Sequence, residues 1–297
     1  MHLTLKVPDY SIPTESIFLY STPSHGNVGQ LCTDCMIATL AAENKIRLVG
    51  YCHSSLVYPM TGHEEYCAAW GTSVCMPIEV YSIPSTPYVI LHQRAPCISG
   101  KEILLATEIL SFLQGLKYRH LFVLCGSTTS GLNDEILQRG RFFQYNTPVA
   151  EKSLASQKEF SKFLQVTQSV QNTSRVWIRT PTPTTGLVPN DSDHSNRNLM
   201  DENSLHFFSP VPDATERYEI DGAEIASRVM DAAADCDSVT CFGRYCDEGN
   251  NLGDGIDFVR IVCAGLCIWD NATVKLKFPK SFSTLFGRPI TDESTLF

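Results

Sequence analysis

The sequence lacks an apolar run long enough to cross a bilayer. A transmembrane helix needs about 20 consecutive apolar residues, and the best stretch among the 297 residues, 258–268, is short and contains Arg260. The first eleven residues also lack the apolar core of a secretory signal. We therefore expect a protein of the cytoplasm and nucleus, with no membrane partner.

Positive charge is scarce as well. The chain has 23 Lys and Arg residues against 32 Asp and Glu residues, a formal net charge of -9, which repels the phosphate backbone of nucleic acids. With 43% hydrophobic and 19% charged residues, the composition is that of an ordinary globular protein. The sequence therefore predicts a folded chain whose main partner is not a nucleic acid.

Common catalytic and metal-binding motifs are missing. The sequence has no G-x-G-x-x-G, P-loop or G-x-S-x-G pattern and no set of Cys and His residues at zinc spacing. One Cys-x-x-Cys motif, Cys32 and Cys35, lies just inside a predicted helix, on a face shared with apolar residues. We expect both thiols to pack in the core, with a redox or metal role as the alternative. The sequence thus predicts no catalytic residue, metal or cofactor.

Hydrophobic periodicity predicts alternating strands and helices. Residues 16–20 and 47–52 are β-rich runs, and apolar residues recur at helical spacing over 28–42 between them. Two more β-rich runs, 78–83 and 88–93, flank a proline turn, which is typical of an antiparallel hairpin. The later runs predict helices at 102–116, 220–234 and 256–268, strands at 120–125 and 238–245, a loop at 126–131 and another containing Gly249, Gly253 and Gly255. We therefore expect an α/β fold with a mixed sheet.

Residues 180–215 differ in character from the rest of the chain. They are rich in Thr, Pro, Ser, Asn and Asp and show little hydrophobic periodicity, which is typical of disordered segments. Strand and helix patterns resume after them. We therefore predict one domain over residues 1–297, interrupted by a polar, disordered insertion over 180–215.

A glycine turn joins the first predicted strand to the first predicted helix. Gly26-Asn27-Val28-Gly29 lies where free backbone N–H groups and the helix dipole suit an anion. Glycines are also needed simply to turn tightly into a helix, and no lysine of a nucleotide motif follows. We interpret the turn as structural. The alternative is an enzyme of nucleoside phosphorylase or hydrolase type that uses the turn as an anion site.

Seven short stretches, in order and with matching gaps, carry a family resemblance. They are Gly26-Asn27-Val28-Gly29-Gln30-Leu31; Val49-Gly50-Tyr51; Pro59-Met60; Ile78-Glu79-Val80-Tyr81-Ser82-Ile83-Pro84; Leu91-His92-Gln93-Arg94; Phe122-Val123-Leu124 with Asn133-Asp134; and Phe282-Ser283-Thr284-Leu285-Phe286-Gly287 with Leu296-Phe297. Together they resemble the proteasome assembly chaperone 2 family. The likeness covers residues 16–149 and roughly the last sixty residues, whereas the 180–215 insertion departs from it.

The resemblance implies a fold and a non-enzymatic function. The implied fold is a single three-layer α/β/α sandwich, and the implied partner is proteasome assembly chaperone 1, with which the chain would form a heterodimer. The heterodimer would bind the outer face of the 20S proteasome α-ring, near the fifth to seventh α subunits. There it would promote ring assembly, prevent off-pathway association, and leave or be degraded when the core particle matures.

The C-terminal segment, residues 287–297, offers a contact for the ring. It reads as a flexible tail that ends in Thr295-Leu296-Phe297, with two apolar side chains and a free carboxylate suited to a pocket that has a cation at its base. Tails of the family are thought to enter pockets between α subunits through a hydrophobic-tyrosine-any motif. The penultimate residue here is Leu296 instead of tyrosine. We predict that Thr295, Leu296 and Phe297 contact the α-ring.

Overall fold

A mixed sheet of eight strands forms the middle layer of the protein. The computed structural model describes residues 1–7, 10–63, 66, 74–130, 141–157, 160–173, 218–233, 236–271 and 273–283. The strands of the sheet are β1 (His2–Leu5), β2 (Ile17–Ser21), β3 (Arg47–His53), β6 (Ile78–Ser82), β7 (Tyr88–Gln93), β8 (His120–Thr128), β9 (Phe142–Asn146) and β10 (Val239–Cys246). A separate two-stranded ribbon pairs β4 (Gly62–His63) with β5 (Val74–Cys75).

The strands follow the spatial order β1-β3-β6-β7-β2-β8-β10-β9. The four central strands β7, β2, β8 and β10 are parallel, and both flanks of the sheet are antiparallel. Central strands of this kind are buried on both faces. In β2, Ile17 and Leu19 pack on one face of the sheet while Phe18 and Tyr20 pack on the other, which explains why the run is apolar without alternation.

Helices cover both faces of the sheet. Those in the described ranges are α1 (Val28–Ala42), α2 (Glu102–Gly115), α3 (Pro148–Ser156), α4 (Ser161–Thr173), α5 (Glu224–Ala233) and α6 (Leu252–Gly265). Helices α1, α4 and α6 contribute to the core on one face, and α2 and α5 to the core on the other. None of these helices is both long and apolar enough to span a membrane. The layers confirm the predicted α/β/α sandwich with a mixed central sheet.

A cluster of aromatic rings joins the strands to α4 and α6. The ring of Phe122 in β8 lies 5.1 Å from that of Phe163 in α4, and Phe163 lies 5.4 Å from Phe242 in β10. Phe242 in turn lies 5.4 Å from Phe258 in α6. The cluster therefore connects elements that precede residues 174–217 with elements that follow them.

Several predicted elements have the expected extent, and the boundaries of others are wrong. The hairpin of β6 and β7 is antiparallel as predicted, and α1 spans the predicted residues 28–42. The predicted loop 126–131 is wrong at its start, because residues 126–128 continue β8. They do so because β10 pairs alongside them, with Arg244 opposite Gly126 and Cys246 opposite Thr128.

The last predicted helix and loop also need correction. Gly253 and Gly255 were expected in a loop, but both lie inside α6, which begins at Leu252. Packing overrides the low helix propensity of glycine here, since α6 lies so close to α1 that a Cβ at Gly255 would come within 2.6 Å of the Cβ of Leu31. The 180–215 insertion and the 287–297 tail lie outside the described residues, so these predictions and the single-domain prediction stay open.

We expect Phe122→Ala to lower the free energy of unfolding by about 3–5 kcal/mol, because Phe122 is 1% exposed and the change leaves a cavity beside Phe163. Urea denaturation followed by circular dichroism measures the loss. The control is Ile103→Ala, at a side chain that is 61% exposed, for which we expect a change below about 0.5 kcal/mol. Equal losses in the two variants would contradict the assignment of Phe122 to the core.

Candidate functional site

The carboxyl ends of β2 and β8 form the topological switch point of the sheet. From β2 the chain crosses through α1 towards β3, and from β7 it crosses through α2 to β8 on the opposite side of β2. Open α/β sheets bind ligands in the crevice at such a point. The glycine turn predicted from the sequence lies here, between β2 and α1.

The turn is packed tightly against its neighbours. Gly26 and Asn27 have φ values of 60° and 52°, in the left-handed region that favours glycine and asparagine. A Cβ at Gly29 would lie 2.2 Å from the carbonyl oxygen of Leu124 in β8. A Cβ at Gly26 would lie 2.5 Å from Nδ2 of Asn251, the residue before α6. The absence of side chains at Gly26 and Gly29 therefore lets α1 begin directly on β8.

One N–H donor of the turn, that of Asn27, and the N–H of the preceding residue His25 are used within the protein. His25 N–H donates to the carbonyl of Gly222 at 2.7 Å, and Asn27 N–H donates to the carbonyl of Ser24 at 2.9 Å. The hydroxyl of Ser24 in turn accepts from Gly126 N–H at 2.9 Å. These donors are thus not available to an anion. The structural interpretation of Gly26-Asn27-Val28-Gly29-Gln30 stays a prediction.

A buried polar network lies beside this turn, where β2, β7 and α1 meet. Ser21 and His92 are fully buried, and Ser21 Oγ lies 2.7 Å from Nδ1 of His92. The other ring nitrogen, Nε2, lies 3.0 Å from Oδ1 of Asp34 in α1. A carboxylate can only accept, so Nε2 carries a proton and donates to Asp34.

Arg94 extends the network to β6. Its Nε donates to Oε2 of Glu79 at 2.8 Å, and the hydroxyl of Tyr81 donates to the same oxygen at 2.8 Å. Nη2 of Arg94 donates to the hydroxyl of Tyr66, and this hydroxyl donates to Asp34. The guanidinium therefore connects one carboxylate of the sheet with one of α1.

Gln30 ties the start of α1 to the end of β7. Its Nε2 donates to the backbone carbonyl of Gln93 at 2.8 Å. The side chain of Gln93 accepts from the hydroxyl of Tyr20 and donates to the carbonyl of Ala95. Three of the stretches that carry the family resemblance, those containing Gln30, Glu79 and His92-Gln93-Arg94, are thus brought together in one network.

The network keeps the carboxyl group of Asp34 ionised. Burial by itself would raise the pKa of Asp34. The charges of His92 and Arg94, together with hydrogen bonds from His92 and Tyr66, outweigh this effect and lower the pKa from 3.8 to about 2. Burial opposes the charge of Arg94, yet Tyr66, Asp34 and Glu79 hold its pKa well above the usual value. Breaking one partner of such a buried set leaves an uncompensated charge and costs about 3–5 kcal/mol.

The contacts of Ser21, His92 and Asp34 resemble those of a serine hydrolase, but the geometry does not support that chemistry. Ser21 Oγ faces Nδ1 of His92, whereas the catalytic serine faces Nε2 in that mechanism. Ser21 is also 0% exposed, so its hydroxyl cannot reach a substrate carbonyl in the folded protein. The arrangement positions α1 on the sheet.

The remaining sites predicted from the sequence are the Cys32 and Cys35 pair and the C-terminal tail. Cys32 and Cys35 are buried, and burial with Asp34 nearby raises the pKa of both thiols well above its usual value, which opposes a redox role. Within the described ranges, no cluster of three His, Cys, Asp or Glu side chains is placed to hold a metal ion. Thr295, Leu296 and Phe297 lie outside the described residues.

Sequence analysis did not single out Ser21, Asp34 and Tyr66 as members of the network. Asp34 stands between two core cysteines, Tyr66 belongs to no periodic run, and Ser21 follows a predicted strand. A buried charge within an apolar strand, as at Glu79, is the signal that points to such a network, because it requires a partner.

The protein is an α/β/α sandwich with a mixed sheet. Its glycine turn and its buried polar network hold helix α1 on that sheet. A model described as the PAC2 family matches residues 18–232, and the chain belongs to this family. This match includes the whole network. The resemblance to the proteasome assembly chaperone 2 family is thereby confirmed.

Relatives and solved structures agree with the family. The chain is 23% identical over 286 residues to Proteasome assembly chaperone 2 of Xenopus laevis, covering 94% of both chains. It is 33% identical over 133 residues to Proteasome assembly chaperone 2 of Homo sapiens, 44% of this chain and 49% of the human one. PbaA of Pyrococcus furiosus, an archaeal homolog of proteasome-assembly chaperone, aligns with a TM-score of 0.51 and 13% identity, over 91% of this chain and 84% of that chain. That likeness shows the shared fold.

We expect Gly29→Ala to lower the free energy of unfolding by about 1–3 kcal/mol or more, because the added methyl meets the Leu124 carbonyl and forces α1 away from β8. Chemical denaturation measures the effect. Gly253→Ala is the matched control, since a Cβ there has no neighbour within 4 Å and the change favours a helix. A destabilisation by Gly253→Ala equal to that by Gly29→Ala would refute the packing argument.

We expect Asp34→Asn to lower the free energy of unfolding at neutral pH by about 2–5 kcal/mol, of which about 2 kcal/mol follows from the pKa of Asp34 and the rest from the unpaired charge of Arg94. The folded-state pKa, about 2, lies below the ordinary value of 3.8, so the carboxylate stabilises the fold above about pH 4 and this contribution disappears as the pH falls towards 2. Urea denaturation between pH 6 and pH 2 should therefore show a shallower pH dependence for Asp34→Asn than for the wild type. Asp257→Asn, at a carboxylate whose side chain is 55% exposed, controls for the loss of one negative charge, and parallel wild-type and Asp34→Asn curves would contradict the prediction.

Proposed function

We propose that the chain is a subunit of a proteasome assembly chaperone. In this proposal it forms a heterodimer with proteasome assembly chaperone 1 and binds the 20S α-ring, near the fifth to seventh α subunits, in the cytoplasm and nucleus. It promotes assembly of the ring and prevents off-pathway association. The observation that carries the proposal is the PAC2 family match over residues 18–232, which covers both the glycine turn and the buried network.

The geometry of the motif residues supports a binding role over catalysis. Ser21 and His92 are fully buried and the thiols of Cys32 and Cys35 are buried, so none of these four groups is accessible to a substrate. The contacts of the network are satisfied within the chain itself. A protein of this kind acts through its outer surfaces and its terminal segments.

The test of the proposal is affinity purification of the tagged protein from its own cells, with mass spectrometry of the bound proteins. We expect proteasome assembly chaperone 1 together with α subunits and few mature β subunits. The enzyme alternative predicts instead no proteasome subunits and a thermal shift with inorganic phosphate or nucleosides, through the turn at Gly26-Gly29. That pair of results would overturn the chaperone proposal.

Deletion of Leu296 and Phe297 should weaken α-ring binding on the order of tenfold or more, because each apolar side chain that enters a pocket contributes about 1.5–3 kcal/mol. We expect the melting temperature and the binding of proteasome assembly chaperone 1 to stay unchanged. Surface plasmon resonance on immobilised α-rings measures the effect.

Leu296→Tyr is the matched variant for this deletion. It places a tyrosine at the penultimate position, as in the hydrophobic-tyrosine-any motif of family tails, and should strengthen α-ring binding. Unchanged affinity of both tail variants would exclude the tail mechanism and leave the family assignment intact.

A further inference from the structure

Strand β1 presents an unpaired backbone edge. It lies at the end of the sheet and pairs with β3 on its inner side, with Leu3 opposite Cys52 and Leu5 opposite Gly50. Lys6 N–H donates to the carbonyl of Val49 at 2.8 Å, and backbone groups of an antiparallel strand alternate in direction. The N–H and C=O groups of Leu3 and Leu5 therefore point away from the sheet. No strand in the described part of the chain pairs with this outer side.

The two edges of the sheet are built differently. At the opposite edge, β9 has four buried residues of five, so its side chains are covered by the helices. In β1, by contrast, three residues of four are exposed, and Leu5 is 41% exposed. A proline or a charged side chain within an edge strand is one way in which natural proteins prevent pairing, and residues His2–Leu5 contain no proline, lysine, arginine or acidic residue.

A groove adjoins the amino end of β1. It has a volume of about 580 Å³ and is bounded by the end of β3, residues 54–61, residues 76–77 and helix α2. Apolar residues dominate its wall, chiefly Met1, Cys52, Val57, Pro59, Met60 and Met76. Methionine side chains adapt to the shape of a partner, and Met60 is 56% exposed. The groove therefore suits one or more large apolar side chains.

The charge of the groove limits its occupant. Glu108 is the one acidic or basic lining residue other than His2 and His53. Its carboxylate accepts from the hydroxyl of Ser54 and from the amine of Met1, so its charge is compensated within the protein. An uncharged apolar group is complementary to such a wall, because a charged group would be desolvated without a partner.

We propose that β1 and this groove bind an extended, uncharged segment of the partner chaperone subunit. The segment adds to the sheet as a strand along Leu3–Leu5 and places a large apolar side chain in the groove beside Met60. In strand addition, backbone hydrogen bonds give affinity and side-chain pockets give specificity. The inference rests on the proposed heterodimer with proteasome assembly chaperone 1 and names the surface that forms it.

Proline substitution at Leu5 tests the backbone part of the proposal. Leu5→Pro removes an outward N–H and leaves the inward bonds of its neighbours to β3 in place, so we expect a loss of at least tenfold in affinity for purified proteasome assembly chaperone 1 by calorimetry. Leu5→Ala keeps the N–H and should change the affinity less than threefold. Thermal melting of each variant checks the fold.

Substitution at Met60 tests the groove. Met60→Glu introduces an uncompensated charge and should weaken binding at least tenfold, whereas Met60→Leu should bind as the wild type does. Met60 is exposed, so neither change should alter the melting temperature.

Hydrogen exchange on the wild-type protein tests strand addition without any substitution. The Leu3 and Leu5 amides should exchange rapidly in the free protein and slowly in the heterodimer, while the Lys6 amide is protected in both. Unchanged exchange at Leu3 and Leu5, or wild-type affinity of Met60→Glu, would overturn this inference and leave the heterodimer in place. Failure of the wild type to bind proteasome assembly chaperone 1 would overturn the proposed function itself, and this inference with it.

Discussion

The buried charge of Arg94 is the constraint on which the arrangement of helix and sheet depends. A guanidinium taken out of water needs acidic partners close by, and the partners come from different layers: Glu79 from β6 and Asp34 from α1. Tyr66 bridges the gap between the guanidinium and Asp34. The position and rotation of helix α1 on the sheet bring Asp34 to Arg94, and moving the helix would leave a charge without this partner.

The glycine turn and the polar network lie side by side at the carboxyl edge of the sheet, where α/β enzymes hold their ligands. In this protein the same region is occupied by contacts within the chain. Gly29 lets α1 touch β8, and Gln30, one residue further, bonds to the end of β7. The family stretches around Gln30, Glu79 and His92 thus form a scaffold, and the proposed function assigns recognition to other surfaces of the molecule. This division of roles is what the proposed assembly function requires.

Local sequence patterns predict much of the fold, and the rest depends on contacts between residues far apart in the chain. Helix α1 and the β6–β7 hairpin were predictable because apolar spacing and a proline turn are visible within a few residues. The start of α6 was not, because Gly253 and Gly255 are typical of a loop until α1 is known to pack against the helix at Gly255. The partners within the network could not be predicted from the sequence for a similar reason, although Glu79 within an apolar strand indicates that some partner exists. Ser21, Asp34 and His92 meet because β2 and β7 are parallel neighbours, and parallel pairing has no short-range pattern.

The position of β10 has a consequence for how the protein is made. This strand lies between β8 and β9, yet it follows both of them and residues 174–217 in the chain. At roughly 5–20 residues per second, a ribosome needs several seconds to pass from β9 to β10. During that time β10 is missing from its place between β8 and β9. The backbone edges and apolar side chains of β8 and β9 that β10 covers in the folded protein are therefore unpaired. A nascent chain of this topology is open to aggregation until β10 emerges, so folding of this half of the sheet is coupled to the completion of synthesis.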